Sequence, residues 1–148
     1  MASRSIEDLH PALAYAFGKA EAQYTLLYPE APKPILTSTY RSNEEQLKLY
    51  NQPTDRKDND GDGKIDEADE KVTNAKPGQS AHNFSPSLAF DVAFQDKAGK
   101  LDWSTLHFQR FAKLVLQTVG ITWGGNFKSL IDLPHFELTD WAKRAAKK

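Results

Sequence analysis

Residues 80–94 read SAHNFSPSLAFDVAF. His82 and Asp91 stand nine positions apart in it, and the aspartate falls inside a run that alternates as a strand does. Leu88, Phe90, Val92 and Phe94 would point to one face, and Ala89, Asp91 and Ala93 to the other. The bulky face suits a core. The opposite face offers alanine methyls and one acid. Such a carboxylate either faces water or needs a partner, because an unpaired buried charge is costly. An arginine, a set of backbone donors or a metal would serve.

Outward from this strand the pattern is that of a small α+β domain with a short antiparallel sheet flanked by helices. Residues 9–27 carry Leu9, Leu13, Phe17, Ala20, Tyr24 and Leu27 at helical spacing, with Pro11 suited to a first turn. ILTSTY (35–40) reads as a strand. SNEEQLKLY (42–50) reads as a helix opened by a Ser42–Glu45 capping box. Residues 103–119 read as a second amphipathic helix, with Phe108, Phe111, Val115 and Val119 on one face and Gly120 as its stop. ITWGG (121–125) and HFEL (135–138) read as short strands, the latter with His135 and Glu137 on one face.

The 148 residues suffice for one domain with a real core, and neither a repeat nor an interdomain linker is visible. A net charge of -1 gives no basic excess for nucleic acid or an anionic membrane. No apolar run is long enough to span a bilayer, and MASRSIEDLHPAL lacks the apolar core of a secretory signal. The absence of cysteine excludes disulfides and thiolate metal sites, so a zinc site must use histidine and carboxylate.

DNDGDGKIDEAD (58–69) fits a twelve-residue calcium loop. Asp58, Asp60 and Asp62 occupy positions 1, 3 and 5, Gly63 the sharp turn, Lys64 the carbonyl position, Asp66 position 9 and Asp69 position 12. Calcium needs this density of oxygens. Position 12 departs from the usual glutamate, which predicts weaker binding, and the alternative is a solvated acidic loop. The flanks are not paired helix-loop-helix units, so the loop reads as an insertion at about 55–72.

Of the four histidines, His82 and His135 have acidic company. With Asp91 they make the two-imidazole, one-carboxylate set of catalytic zinc, which leaves a fourth position for water. Asp132, three residues before His135, is an acid able to take a proton near the same ion. His10 reads as a local contact at a helix start and His107 as a surface residue.

Four blocks together resemble the D-Ala-D-Ala-type metallopeptidases that cleave peptidoglycan. SAHNFSPSLAFD (80–91) resembles their S-x-H-x-x-G-x-A-x-D motif, WGGNFKSLIDLPHFEL (123–138) their W-G-G-(x)n-D-x-P-H-F motif, and LTSTYRSNEEQLKLY (36–50) their T-S-G-Y-R-S-x-x-E-Q segment. RSIEDLHPAL (4–13) is similar to the start of the L-alanyl-D-glutamate endopeptidase branch, which includes phage endolysins and some bacterial wall hydrolases. Two departures stand out. The His-to-Asp spacing is nine rather than seven, and Ser85-Pro86-Ser87 replaces one glycine. Two extra loop residues can be absorbed without moving the strand that carries Asp91.

The resemblance implies a hedgehog-like fold, zinc held by His82, Asp91 and His135, Asp132 as general base and then acid, and Arg41 on the scissile carbonyl or a substrate carboxylate. Ser80, Gln46 and Glu137 would support the site. It implies a monomeric enzyme acting on peptidoglycan stem peptides, most readily at the L-alanyl-D-glutamate bond. The alternatives are a D-alanyl-D-alanine carboxypeptidase or dipeptidase and a non-catalytic zinc and calcium module. Without a secretory signal, the expected origin is phage, with synthesis in the host cytoplasm and release through a membrane lesion.

Overall fold

The computed structural model describes residues 3–51, 80–128 and 131–146. The calcium-loop reading and the insertion at about 55–72 lie outside the described residues. Helix α1 (Pro11–Leu27) begins where Pro11 takes the first helical position and the His10 side chain accepts a hydrogen bond from the Ala12 N–H. Leu13, Ala16, Phe17, Ala20 and Tyr24 follow at intervals of three and four and are buried. Leu9, expected inside the helix, precedes it and is buried beside a bridge to Ser87. Strand β1 (Lys33–Ser38) follows, then helix α2 (Asn43–Asn51). At the start of α2 the expected capping box forms: the Glu45 N–H donates to Ser42 Oγ at 3.1 Å, and the Glu45 carboxylate accepts from the Ser42 N–H at 3.3 Å.

Strand β2 (Ala89–Gln95), helix α3 (Thr105–Val115), strands β3 (Ile121–Trp123) and β4 (His135–Leu138) and helix α4 (Trp141–Ala146) complete the order. The strands form one antiparallel sheet in the order β1-β2-β4-β3. Helices α1 and α3 pack together over the face that carries Phe90, Phe94 and Phe136. Phe111 lies at the centre, with ring centroids 5.8–6.0 Å from Phe17, Tyr24, Phe94 and Phe136. These are edge contacts, the arrangement that aromatic quadrupoles favour. The other face holds Ala89, Asp91 and Ala93, as the alternation of β2 requires, and both alanines are fully buried. Register does the rest. Asp91 pairs with His135 on β4 and with Ser38 on β1, and directly opposed residues share a face.

Further expectations fail. The helix expected over 103–119 spans only Thr105–Val115, because Gln117 and Thr118 turn back onto the Leu114 and Val115 carbonyls. Val119 is consequently 96% exposed rather than on the buried face. Gly120, at φ +91°, serves the entry to β3, where its carbonyl accepts from the Thr139 N–H. His107 is not a surface residue either. Asp102 anchors the start of α3 by accepting from the Ser104 N–H and from His107 Nε2 at 3.0 Å. The helix is thereby phased so that His107 tucks against the Phe94 ring, 5.5 Å between centroids.

Phe111 is fully buried at the junction of both helices and the sheet. Phe111→Ala should lower the unfolding free energy by about 3–5 kcal/mol, the cost of an aromatic-sized core cavity. Urea denaturation measures it, and a loss under about 1 kcal/mol would contradict this packing.

Candidate metal centre

His82 stands in a single 3-10 turn, Ala81–Asn83, which the sequence builds with its own cap. The Ser80 side chain accepts from the His82 N–H, and the Asn83 side chain accepts from the Ser80 N–H. The imidazole is 2% exposed. Its Nδ1 lies 2.7 Å from the Thr39 carbonyl. A carbonyl can only accept, so Nδ1 carries the proton and the Nε2 lone pair faces inward. The Ser87 hydroxyl also reaches the Thr39 carbonyl, at 2.9 Å.

This is how the long His-to-Asp spacing is absorbed. Ser87 is stitched to the segment before α1: its N–H donates to the Asp8 carbonyl and its own carbonyl accepts from the His10 N–H. Strand β2 then starts in register, with the Leu88 N–H on the Ala81 carbonyl.

His135 opens β4 beside Asp91. Its Nδ1 is 3.1 Å from Asp91 Oδ1, and its Nε2 is 2.7 Å from Glu137 Oε1. His82 Nε2 lies 3.4 Å from the same Asp91 oxygen and 3.3 Å from His135 Nδ1. Each imidazole thus has one nitrogen committed to an outer acceptor and the other turned to a shared point. One ligand atom from each of His82, Asp91 and His135 lies within 4.8 Å of the others. Two neutral imidazole lone pairs and one carboxylate oxygen so arranged fit a divalent transition ion.

Arg41 closes the other side of Asp91. Its Nη2 is 3.7 Å from Asp91 Oδ2, and its Nη1 donates to the buried Gln46 at 2.8 Å. The Arg41 N–H donates to the His82 carbonyl, and Asn83 donates back to the Arg41 carbonyl, so the arginine segment and the His82 turn form one unit. Burial alone would push the Asp91 carboxyl up. Electrostatic attraction to His82 and hydrogen bonding to His135 outweigh it and hold the group well below the usual carboxylate range. Burial works against charge on His135 too, but hydrogen bonds to Asp91 and Glu137 push it up to about 10.

Asp132 is held by its backbone, whose N–H donates to the Gly124 carbonyl and whose carbonyl accepts from the His135 N–H. Burial first, then the Asp91 charge, raises its carboxyl pKa, against the pull of His135, His82 and Arg41. Gly124 makes this loop possible, since a Cβ there would lie 2.2 Å from the Asp132 carbonyl oxygen and 3.0 Å from the His135 Cβ. Trp123 is a wall, stacked on Phe136 and donating its indole N–H to the Leu133 carbonyl at 2.7 Å.

The expected site residues Ser80, His82, Asp91, Arg41, Gln46, Asp132, His135 and Glu137 therefore gather in one place. His10 and His107 stand apart from it, as expected. The sequence reading missed Thr39, which acts through its backbone carbonyl, and Trp141, whose indole donates to Glu137 at 3.0 Å. A backbone acceptor leaves no trace in a residue pattern, and Trp141 follows Glu137 at a spacing of four across a strand-to-helix turn that no periodicity marks.

A family model described as D-alanyl-D-alanine carboxypeptidase matches residues 73–138, a span that contains all three clustered ligands. The peptidoglycan L-alanyl-D-glutamate endopeptidase CwlK of Bacillus subtilis is 31% identical over 143 residues, covering 88% of this chain and 74% of that protein. Among solved structures, the Serratia marcescens L-Ala D-Glu endopeptidase ChiX superposes with a TM-score of 0.64 at 21% identity, over 97% of this chain and 92% of that one. The D,D-pentapeptidase VanY, solved in complex with Zn(II), gives 0.60 at 15% identity, over 94% and 76%. The fold is theirs, and with the CwlK identity extending over most of both sequences, the chain belongs to the D-alanyl-D-alanine carboxypeptidase family of metallopeptidases.

Proposed function

We propose that this chain is a zinc peptidase that hydrolyses the stem peptide of bacterial peptidoglycan at the L-alanyl-D-glutamate bond. The observation that carries the reading is the convergence of His82 Nε2, His135 Nδ1 and Asp91 within 4.8 Å, with Arg41 alongside and Asp132 in electrostatic reach. The choice of bond is supported by the relative CwlK and the structural neighbour ChiX, both named for it. His82, Asp91 and His135 would hold the zinc. The chemistry such an ion supplies when bound is Lewis acidity, which activates water and polarises a carbonyl.

The remaining work falls to the protein. Asp132 accepts the proton of the attacking water and delivers it to the leaving amine, and its raised pKa suits a group that must hold that proton in between. Arg41, clamped by Gln46, presents a fixed positive charge to the oxygen on which negative charge develops or to a substrate carboxylate. A non-catalytic module would need neither. Cleavage of a terminal D-alanyl-D-alanine bond is the second reading, favoured by the description of the matching family model. Calcium at Asp58, Asp60, Asp62, Lys64, Asp66 and Asp69, a single domain over 1–148, a monomeric state and a phage lytic role complete the proposal and rest on the sequence alone.

Digestion of purified peptidoglycan with mass analysis of the fragments tests the bond. New amino-terminal D-glutamate, abolished by a chelator and restored by zinc, is expected. Release of free D-alanine without internal cleavage would favour the second reading.

Asp132→Asn separates proton transfer from metal binding. It should keep its zinc and its fold while wall lysis slows by about 10²–10⁴-fold. Asp91→Asn should lose zinc. A zinc-loaded Asp132→Asn protein with undiminished lysis would refute the assignment.

Zinc binding should also depend on pH in a defined direction. His135 sits between two carboxylates that favour its protonated form, so its Nδ1 proton must leave before the lone pair is available. Apparent zinc affinity should therefore rise with pH across the neutral range, with about one proton released per zinc. Calorimetry in buffers of different ionisation enthalpy counts that proton, and a pH-independent affinity with no release would contradict it.

A further inference from the structure

The His135 imidazole is oriented by Glu137, and Glu137 is itself oriented. Both of its carboxylate oxygens are engaged: Oε1 lies 2.7 Å from His135 Nε2, and Oε2 accepts from the Trp141 indole N–H at 3.0 Å. Glu137 and His135 lie two apart on β4 and so share a face, while Trp141 is the first residue of α4. The same indole lies against Phe84, 6.2 Å between ring centroids. Phe84 ends the turn that carries His82. Trp141 therefore touches both Glu137, which holds His135, and Phe84, which ends the His82 turn.

We propose that Trp141 is a positioning residue for the metal centre, acting through Glu137 on His135. The physical reason lies in the freedom of a glutamate. With one oxygen unheld, its carboxylate can rotate about its terminal torsion and swing away from the ring. With the indole holding Oε2, Oε1 stays at His135 Nε2, so the Nδ1 lone pair stays aimed at the point shared with His82 and Asp91. Indole N–H is a donor only, so it cannot compete with Glu137 for the histidine proton. Outer partners of this kind set the tautomer and orientation of a metal-ligating histidine. The proposal rests on the zinc reading above. It adds that α4 is part of the metal centre's framework.

The test is zinc affinity, measured by competition with a chromophoric chelator on the full chain. The proteins are the wild type, Trp141→Phe, Glu137→Ala and the double variant. Trp141→Phe keeps an aromatic ring against Phe84 and removes only the N–H. It should weaken zinc binding about tenfold. In the Glu137→Ala background the same substitution should change nothing, because its path to His135 is already gone.

Unchanged affinity in Trp141→Phe, or an equal loss with and without Glu137, would overturn the assignment and leave Trp141 a packing residue. A wild-type protein that binds no zinc would overturn the metal reading itself, and this assignment with it. Should Trp141→Phe not fold, the wild type decides. The Trp141 indole proton resonance should shift when zinc saturates the protein, and a resonance indifferent to zinc would overturn the proposal.

Discussion

Asp91 is a charged group in the middle of a four-stranded sheet, with two fully buried alanines beside it on the strand and only 19% of its own side chain exposed. Isolated there, it would cost several kcal/mol or take up a proton. It is instead surrounded, with one oxygen facing His82 and His135 and the other facing Arg41. That arrangement needs β1, β2 and β4 in one register, the His82 turn capped by Ser80, and Arg41 braced by Gln46. The two faces of β2 divide the labour. Phe90 and Phe94 pack the sheet against α1 and α3, while Asp91 points to the opposite face.

The alternation of 88–94 was legible because a strand's period of two is a local property, and it correctly put the acid opposite the aromatic face. The capping box at Ser42 was legible for the same reason: a cap is written within four residues. What brings Asp91 to His135 is not local. Forty-four residues separate them, and only strand pairing unites them. The two-imidazole, one-carboxylate set and the resemblance of four ordered blocks pointed to that pairing, where the strand's alternation alone left arginine, backbone donors and metal open.

The misses have common causes. Periodicity places Val119 on a helix that ends at Val115, since it cannot see a turn closed by backbone bonds. His107 reads as a surface residue in the sequence, yet Asp102 accepts from its ring and holds it against Phe94, a contact no local pattern records. The His-to-Asp spacing looked irregular until Ser87 was seen stitched to Asp8 and His10, which lets the two extra residues loop out before β2 begins.

The central claim is that one ion sits among His82 Nε2, His135 Nδ1 and an Asp91 oxygen, while His135 Nε2 stays with Glu137. Crystals grown with zinc, with diffraction collected on both sides of the zinc absorption edge, test it most directly. The expected result is a single strong anomalous peak about 2.0–2.2 Å from each of those three atoms. No peak among them, or a peak held by His135 Nε2 and Glu137 instead, would contradict it.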